Sequence, residues 1–315
     1  MANDGIFLGR SDEIRRYEAV LKELGQGLYE GRSSPVVLVY GLGGIGKSSL
    51  LNQFYQRAYE KEAVAWVDFE DERREDAPRF GGDLGPGLRP VLDIVMRIYL
   101  KAMAEHGDGD QAAKCFDDYR ADVVRLPDLL KTSQAQIAEA GRSGVSPEDI
   151  AALTKSTQAL IEVHAGIPTA PATAVGAIAA IGGAAVNKIG FLRRLLGTPK
   201  ISAHDYELLA DPHGSLADTF GRCLAQASQL RPATIFLDTS EIVMTQLPWL
   251  RAVMRASGDR VLWVVGARLD ASSDADPGSE INAFVREVPE DRLRRMGLTR
   301  FDDPTVGQYL QTRLR

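Results

Sequence analysis

The sequence predicts an α/β fold: a mostly parallel sheet flanked by helices on both faces, carrying a long helical insertion. Three observations predict it. Four short runs, Val36–Tyr40, Ala63–Phe69, Ala233–Leu237 and Arg260–Gly266, are predominantly apolar and contain β-branched residues, as strands buried on both faces do. Segments with apolar residues at helical spacing lie between them, the alternation that builds parallel sheets. The first run also leads into the glycine-rich loop Gly41–Ser48 and then a helical pattern, Ser49–Tyr55.

Taken in order, Ile6–Arg10 is a short apolar strand or turn. Ser11 follows as an N-cap, with Asp12 and Glu13 in the first turn of a helix running to about Leu28. Val36–Tyr40, the loop and its helix come next, then the strand Ala63–Phe69, which Asp68 and Glu70 close. Glu70–Arg79 is highly charged and Gly81–Gly87 is glycine-rich, so both read as solvated loop.

Between Leu88 and Leu209 no strand is expected. Leu88–Ala104, Asp110–Leu126, Leu129–Ala140 and Pro147–His164 read as helices, with Gly141–Gly144 separating two of them and Ser146-Pro147-Glu148 as a helix start. Ala165–Asn187 has no charged residue and is mostly Ala, Gly and Ile. Pro168 and Pro171 at its start, and the weak transfer of Ala and Gly to lipid, favour a buried or docking helix over a membrane span. Gly214–Leu230 is an amphipathic helix before the strand Ala233–Asp238, Trp249–Ser257 is another helix, and Arg260–Arg268 another strand. Phe284–Leu310 is expected to close the chain with polar helices.

At 315 residues the chain can bury one large core or two modest ones. A net charge of −6 disfavours a general nucleic-acid or anionic-membrane surface, so neither contact is expected. The two cysteines, Cys115 and Cys223, have no metal spacing and read as reduced thiols in the cytosol. The start, MANDGIFLGRSDE, lacks a basic segment followed by an apolar run, so no secretory leader is expected. His106, His164, His204 and His213 form no ligand spacing.

The loop Gly41-Leu42-Gly43-Gly44-Ile45-Gly46-Lys47-Ser48 fits G-x-x-x-x-G-K-[ST] at every fixed position. Glycines let such a loop curl until successive backbone N–H groups face one anion, and the helix start adds more donors. Lys47 then supplies a point charge for phosphates, and the Ser48 hydroxyl is placed to ligate Mg²⁺. The competing reading is a glycine-rich turn that binds nothing, and the strand and helix on either side disfavour it.

A phosphate loop needs a carboxylate at the end of a neighbouring strand. Asp238 is that candidate, with a strand-ending helix cap as its alternative. Glu241, three residues on, is the candidate to orient or deprotonate an attacking water, or else a solvated helix-start residue. Arg268 ends the next apolar strand on the same edge and could touch a γ-phosphate, or else form a structural ion pair.

Leu8-Gly9-Arg10, the loop GLGGIGKSS, the strand IFLDTSE and the strand WVVGAR, in this order, resemble a STAND-type NTPase. These are signalling ATPases related to AP-ATPases and NACHT proteins, in the AAA+-like branch of P-loop folds. The end, LTRFDDPTVGQYLQTRL, is similar to the start of that family's helical and winged-helix region. The resemblance covers about residues 6–75 and 210–315, and the helical stretch between is longer than the family core requires. It implies an N-terminal helix and phosphate-loop part over 1–80, a helical insertion over 81–210, a second part of the NTPase domain over 211–297, and a truncated C-terminal helical region over 298–315.

By the same resemblance Gly9 and Arg10 lie on the adenine side. Gly41, Leu42, Gly43, Gly44, Ile45, Gly46, Lys47, Ser48 and Ser49 cradle the nucleotide, and Ser48 and Asp238 hold Mg²⁺. Asp238 and Glu241 form the acidic pair and Arg268 is the sensor. ATP and ADP are the implied cofactors. Their exchange would open the module and drive homo-oligomerisation in the cytoplasm, and hydrolysis would reset it. Many bacterial members guard against phage or regulate transcription. No repeat array or effector domain is visible, which implies a fragment of a larger protein or an unusually short one. The alternative is a nucleotide-dependent interaction module that does not turn over and binds a partner through its helical insertion. A transporter-type ATPase would need a signature that Ser228–Pro232 lacks.

Overall fold

The computed structural model describes residues 9–29, 33–70, 88–140, 202–241, 243, 247–268 and 288–301, with scattered positions between 151 and 161. Five strands form one parallel sheet: β1 (Val36–Gly41), β2 (Ala63–Asp68), β3 (Ala233–Asp238), β4 (Val261–Arg268) and β5 (Leu293–Gly297), in the order β2-β3-β4-β1-β5. Every pairing is parallel, with Val36 opposite Trp263 and Leu293 on its two sides, and Asp68 opposite Asp238. The chain is therefore α/β, with helices on both faces of the sheet.

The pleat sorts the apolar residues. Side chains alternate across a strand, so Val36 and Leu38 enter one layer while Val37 and Val39 enter the other. β4 divides likewise, Val261, Trp263 and Val265 against Leu262 and Val264. A continuous apolar run is what two buried faces require.

The smaller layer is covered by α1 (Ser11–Gly25) and α2 (Lys47–Tyr59), where Tyr17 stacks on Phe54 with ring centroids 4.1 Å apart. The larger layer is covered by α3 (Leu88–Glu105), α4 (Gly109–Cys115), α5 (Asp117–Ala140), α6 (Ala203–Ala210), α7 (Pro212–Ala227) and α8 (Leu247–Ala256). Phe116, Tyr99, Tyr119 and Phe220 form its aromatic centre. The described helices of the expected insertion thus share one core with the sheet.

Four expectations are corrected. Ser11 is the first helical residue and not the cap. Arg10 occupies the cap position with φ 61°, no side chain caps the helix, and the helix stops at Gly25, where Gly27 (φ 67°) turns the chain. The helix expected to break near Pro127 runs through it; the break falls at Phe116, whose buried ring packs against Tyr99 and Phe220, while Leu126 and Leu129 anchor the helix on either side of the proline. The 284–310 region holds a strand, β5, where helices were expected. Its local sequence, Leu-Arg-Arg-Met-Gly, has little strand character, and pairing with β1 decides its conformation. α6 was not expected at all, although Ser202 caps it by accepting from the Asp205 N–H at 3.0 Å.

Residues 165–187, Gly81–Gly87 and 302–315 lie outside the described residues. Among the described residues no helix is long and apolar enough to cross a membrane.

Candidate functional site

The carboxyl ends of β1, β2, β3 and β4 meet at the loop between β1 and α2. β1 ends at Gly41, which has φ 151°. The loop turns through left-handed backbone at Gly44 (φ 75°) and Gly46 (φ 93°), conformations that favour glycine. Gly46 sits at the cap position of α2 beside an exposed loop, and no side chain caps the first N–H groups of the helix. Lys47 folds back over the loop, its Nζ donating to the carbonyls of Gly41 and Leu42 at 2.9 Å each. Partial burial lowers its pKa, and Arg268 adds to that, while Glu241 and Asp238 oppose it.

Asp238 closes β3 in register with Asp68. It is 2% exposed. Its Oδ1 accepts from the Thr239 N–H at 2.9 Å, and its Oδ2 has no hydrogen-bond partner. Burial raises its pKa; the Ser48 hydroxyl and the Thr239 N–H act against that, and Asp68 and Glu241 add to it. A buried carboxylate with one unpartnered oxygen, together with the Ser48 hydroxyl that acts on the same carboxylate, is a donor set that suits a hard cation. Ser48 and Asp238 would hold Mg²⁺. Among the described residues no group of three or more His, Cys, Asp or Glu could hold a metal ion.

Glu241 follows the turn after β3. Its Oε2 accepts from the Arg268 backbone N–H at 3.0 Å, and its Oε1 lies 3.8 Å from Arg268 Nε. The Arg268 guanidinium rests against the loop: a Cβ on Gly43 would come within 3.1 Å of Nε. Lys47, Ser48, Asp238, Glu241 and Arg268 are therefore brought to one edge of the sheet. No family model matches the chain, and a search of the curated proteins finds no match either.

Gly9 and Arg10 are placed differently. Both have positive φ, 78° and 61°. Arg10 is largely buried; it donates to the Thr299 carbonyl at 2.5 Å, lies 4.5 Å over the Phe301 ring and pairs with Glu13 at 3.5 Å. The 298–301 segment in turn leans on the loop, since the Leu298 N–H donates to the Tyr40 carbonyl at 2.8 Å and Leu298 O lies 2.8 Å from where a Gly41 Cβ would stand. Arg10 is thus linked to the first residue of the loop through the 298–301 segment.

Asp68, Thr239, Ser240, Gly266 and Leu298 also belong to this edge and had no role in the sequence reading. Ser240 donates to the Gly266 carbonyl at 2.7 Å, and Thr239 donates to Asp68 Oδ1 at 3.0 Å. The available signal was the acidic residue ending the second apolar run, Asp68. His106, His204 and His213 serve elsewhere, on the Glu62 carbonyl, on Asp122 and stacked on Trp249.

Proposed function

We propose that this chain is a STAND-type nucleotide switch that binds ATP and ADP with Mg²⁺ and hydrolyses ATP slowly. The observation that carries the reading is the buried Asp238 carboxylate, on which the Ser48 hydroxyl acts and whose Oδ2 has no partner, at the edge where the glycine loop and Lys47 converge. The loop N–H groups would take the phosphates, and Lys47 would exchange its two carbonyl partners for phosphate oxygens. Mg²⁺, when bound, neutralises charge on the phosphoryl oxygens. Arg268, 67% exposed at its side chain and lying on Gly43, is free to swing toward a terminal phosphate. Glu241 would orient the attacking water once released from the Arg268 N–H. The role in signalling or defence, the oligomerisation on exchange and the cytoplasmic location follow from the STAND resemblance alone.

A second reading has one observation in its favour. Glu241 Oε2 is engaged by the Arg268 N–H, so a chain that keeps this bond would bind nucleotide without turnover. Two experiments test the pair. Nucleotide released by denaturing the purified chain is identified by chromatography; wild type is expected to carry ADP or ATP and Lys47→Ala none. An empty wild type that also ignores added ATP and Mg²⁺ would sink both readings. Glu241→Gln is then expected to retain ATP where wild type releases ADP, whereas equal retention selects the non-hydrolysing module.

A further inference from the structure

Thr239 is the one non-glycine residue besides Arg10 with positive φ among the described residues, at 54°. For a β-branched residue this backbone is strained, and it persists only where the surroundings hold it. Three bonds do so. The Thr239 N–H donates back to Asp238 Oδ1 at 2.9 Å, its hydroxyl donates across to Asp68 Oδ1 at 3.0 Å, and the next residue, Ser240, is tied to the Gly266 carbonyl at 2.7 Å. Asp68 is itself fixed, because the same Oδ1 accepts from the Glu70 N–H at 2.9 Å and its strand is in register with β3.

The reversed turn bears on the site at both ends. At its start Asp238 Oδ1 is taken by the Thr239 N–H, and Oδ2 has no partner. Beyond it the chain returns so that Glu241 reaches the Arg268 N–H at the end of the neighbouring strand β4. A threonine relaxed to ordinary backbone would carry Glu241 to another position and loosen the turn that meets Asp238.

We propose that Asp68 is a positioning residue of the phosphate site, holding Thr239 in its left-handed turn so that Asp238 and Glu241 keep their places. This rests on the nucleotide reading given above. Asp68 acts as a hydrogen-bond acceptor, and its charge is secondary. A glycine at position 239 would adopt the turn without help.

The test compares Asp68→Ala, Asp68→Asn, Thr239→Gly and the Asp68→Ala/Thr239→Gly pair in the full chain. Amide hydrogen exchange over residues 239–241 and the Mg²⁺ dependence of ATP binding are read together. Asp68→Ala is expected to speed exchange at these amides about tenfold and to weaken Mg²⁺-dependent ATP binding by a similar factor, as loss of a bond to a carboxylate would. Asp68→Asn, which keeps the acceptor, restores slow exchange. In the Thr239→Gly background Asp68→Ala adds less than about twofold. Unchanged exchange and Mg²⁺ dependence in Asp68→Ala would overturn the proposal, as would an Asp68→Asn variant as impaired as Asp68→Ala. A wild type that binds no nucleotide, while Asp68→Ala still loosens residues 239–241, would instead remove the nucleotide reading and this role with it.

Discussion

Gly266 lies directly under Asp238: a Cβ on it would stand 2.9 Å from Asp238 Oδ1 and 2.7 Å from Leu51 Cδ1. The strand beside β3 must lack a side chain here for the carboxylate to sink to its buried position. Gly266→Ala is therefore expected to displace Asp238, cost about 1–3 kcal/mol of stability by overpacking, and weaken Mg²⁺-dependent nucleotide binding. Urea unfolding and ATP binding with and without Mg²⁺ check it. A variant with wild-type stability and binding would mean that Leu51 and Asp238 can yield.

Gly41 presents a harder obstacle. Its missing Cβ would lie 2.8 Å from a backbone atom, Leu298 O, and its φ of 151° already disfavours a side chain. Gly41→Ala is expected to push the 298–301 segment off the loop, destabilise the fold by about 1–3 kcal/mol and open residues 298–301 to protease. Limited proteolysis with mass spectrometry reads that opening.

Arg10 links α1 to the same segment. Arg10→Ala removes the bond to Thr299 O and the face of Phe301, which together are expected to be worth about 1–3 kcal/mol. Arg10→Lys is expected to recover only part of this, because an ammonium lacks the planar stack. Thermal unfolding of the three proteins tests the order wild type, Lys, Ala.

Glu62 gives stability a pH dependence. It is 6% exposed, its Oε2 is hydrogen-bonded by Thr234, and burial pushes its pKa from 4.5 up to about 7. The fold favours the neutral carboxyl, so this contribution is full below about pH 4.5 and is lost as pH rises to about 7. A shift of that size corresponds to about 3 kcal/mol. Burial lowers His213 from 6.5 to about 4, and its contribution runs the other way, present above about pH 6.5 and lost as pH falls toward 4. In the wild type the Glu62 and His213 contributions oppose each other between these limits. Glu62→Gln should gain stability over wild type above about pH 7 and show the rising His213 limb below it. Urea midpoints across this range test both signs, and a Glu62→Gln profile parallel to wild type would refute the Glu62 assignment.

β1 to β4 were legible because each is a predominantly apolar run, and a strand buried on both faces needs one. β5 was not, since only Leu293 and Met296 of its five residues are buried and two arginines lie between them. That Lys47, Ser48 and Asp238 share one edge of the sheet was legible because glycine spacing and strand ends mark them locally. The Asp68–Thr239 bond could not: its partners are 171 residues apart and meet only through the pairing of β2 with β3. The left-handed φ of Thr239 likewise has no trace in a sequence that offers threonine where glycine would be the local choice.

The two layers of the sheet are unequal. Among the described helices, six pack on one side and two, α1 and α2, on the other. Amide protection follows the depth of packing, so the thin side should breathe first. The helix that begins at Lys47 rides on that side, so its amides are expected to exchange before those of the six-helix side.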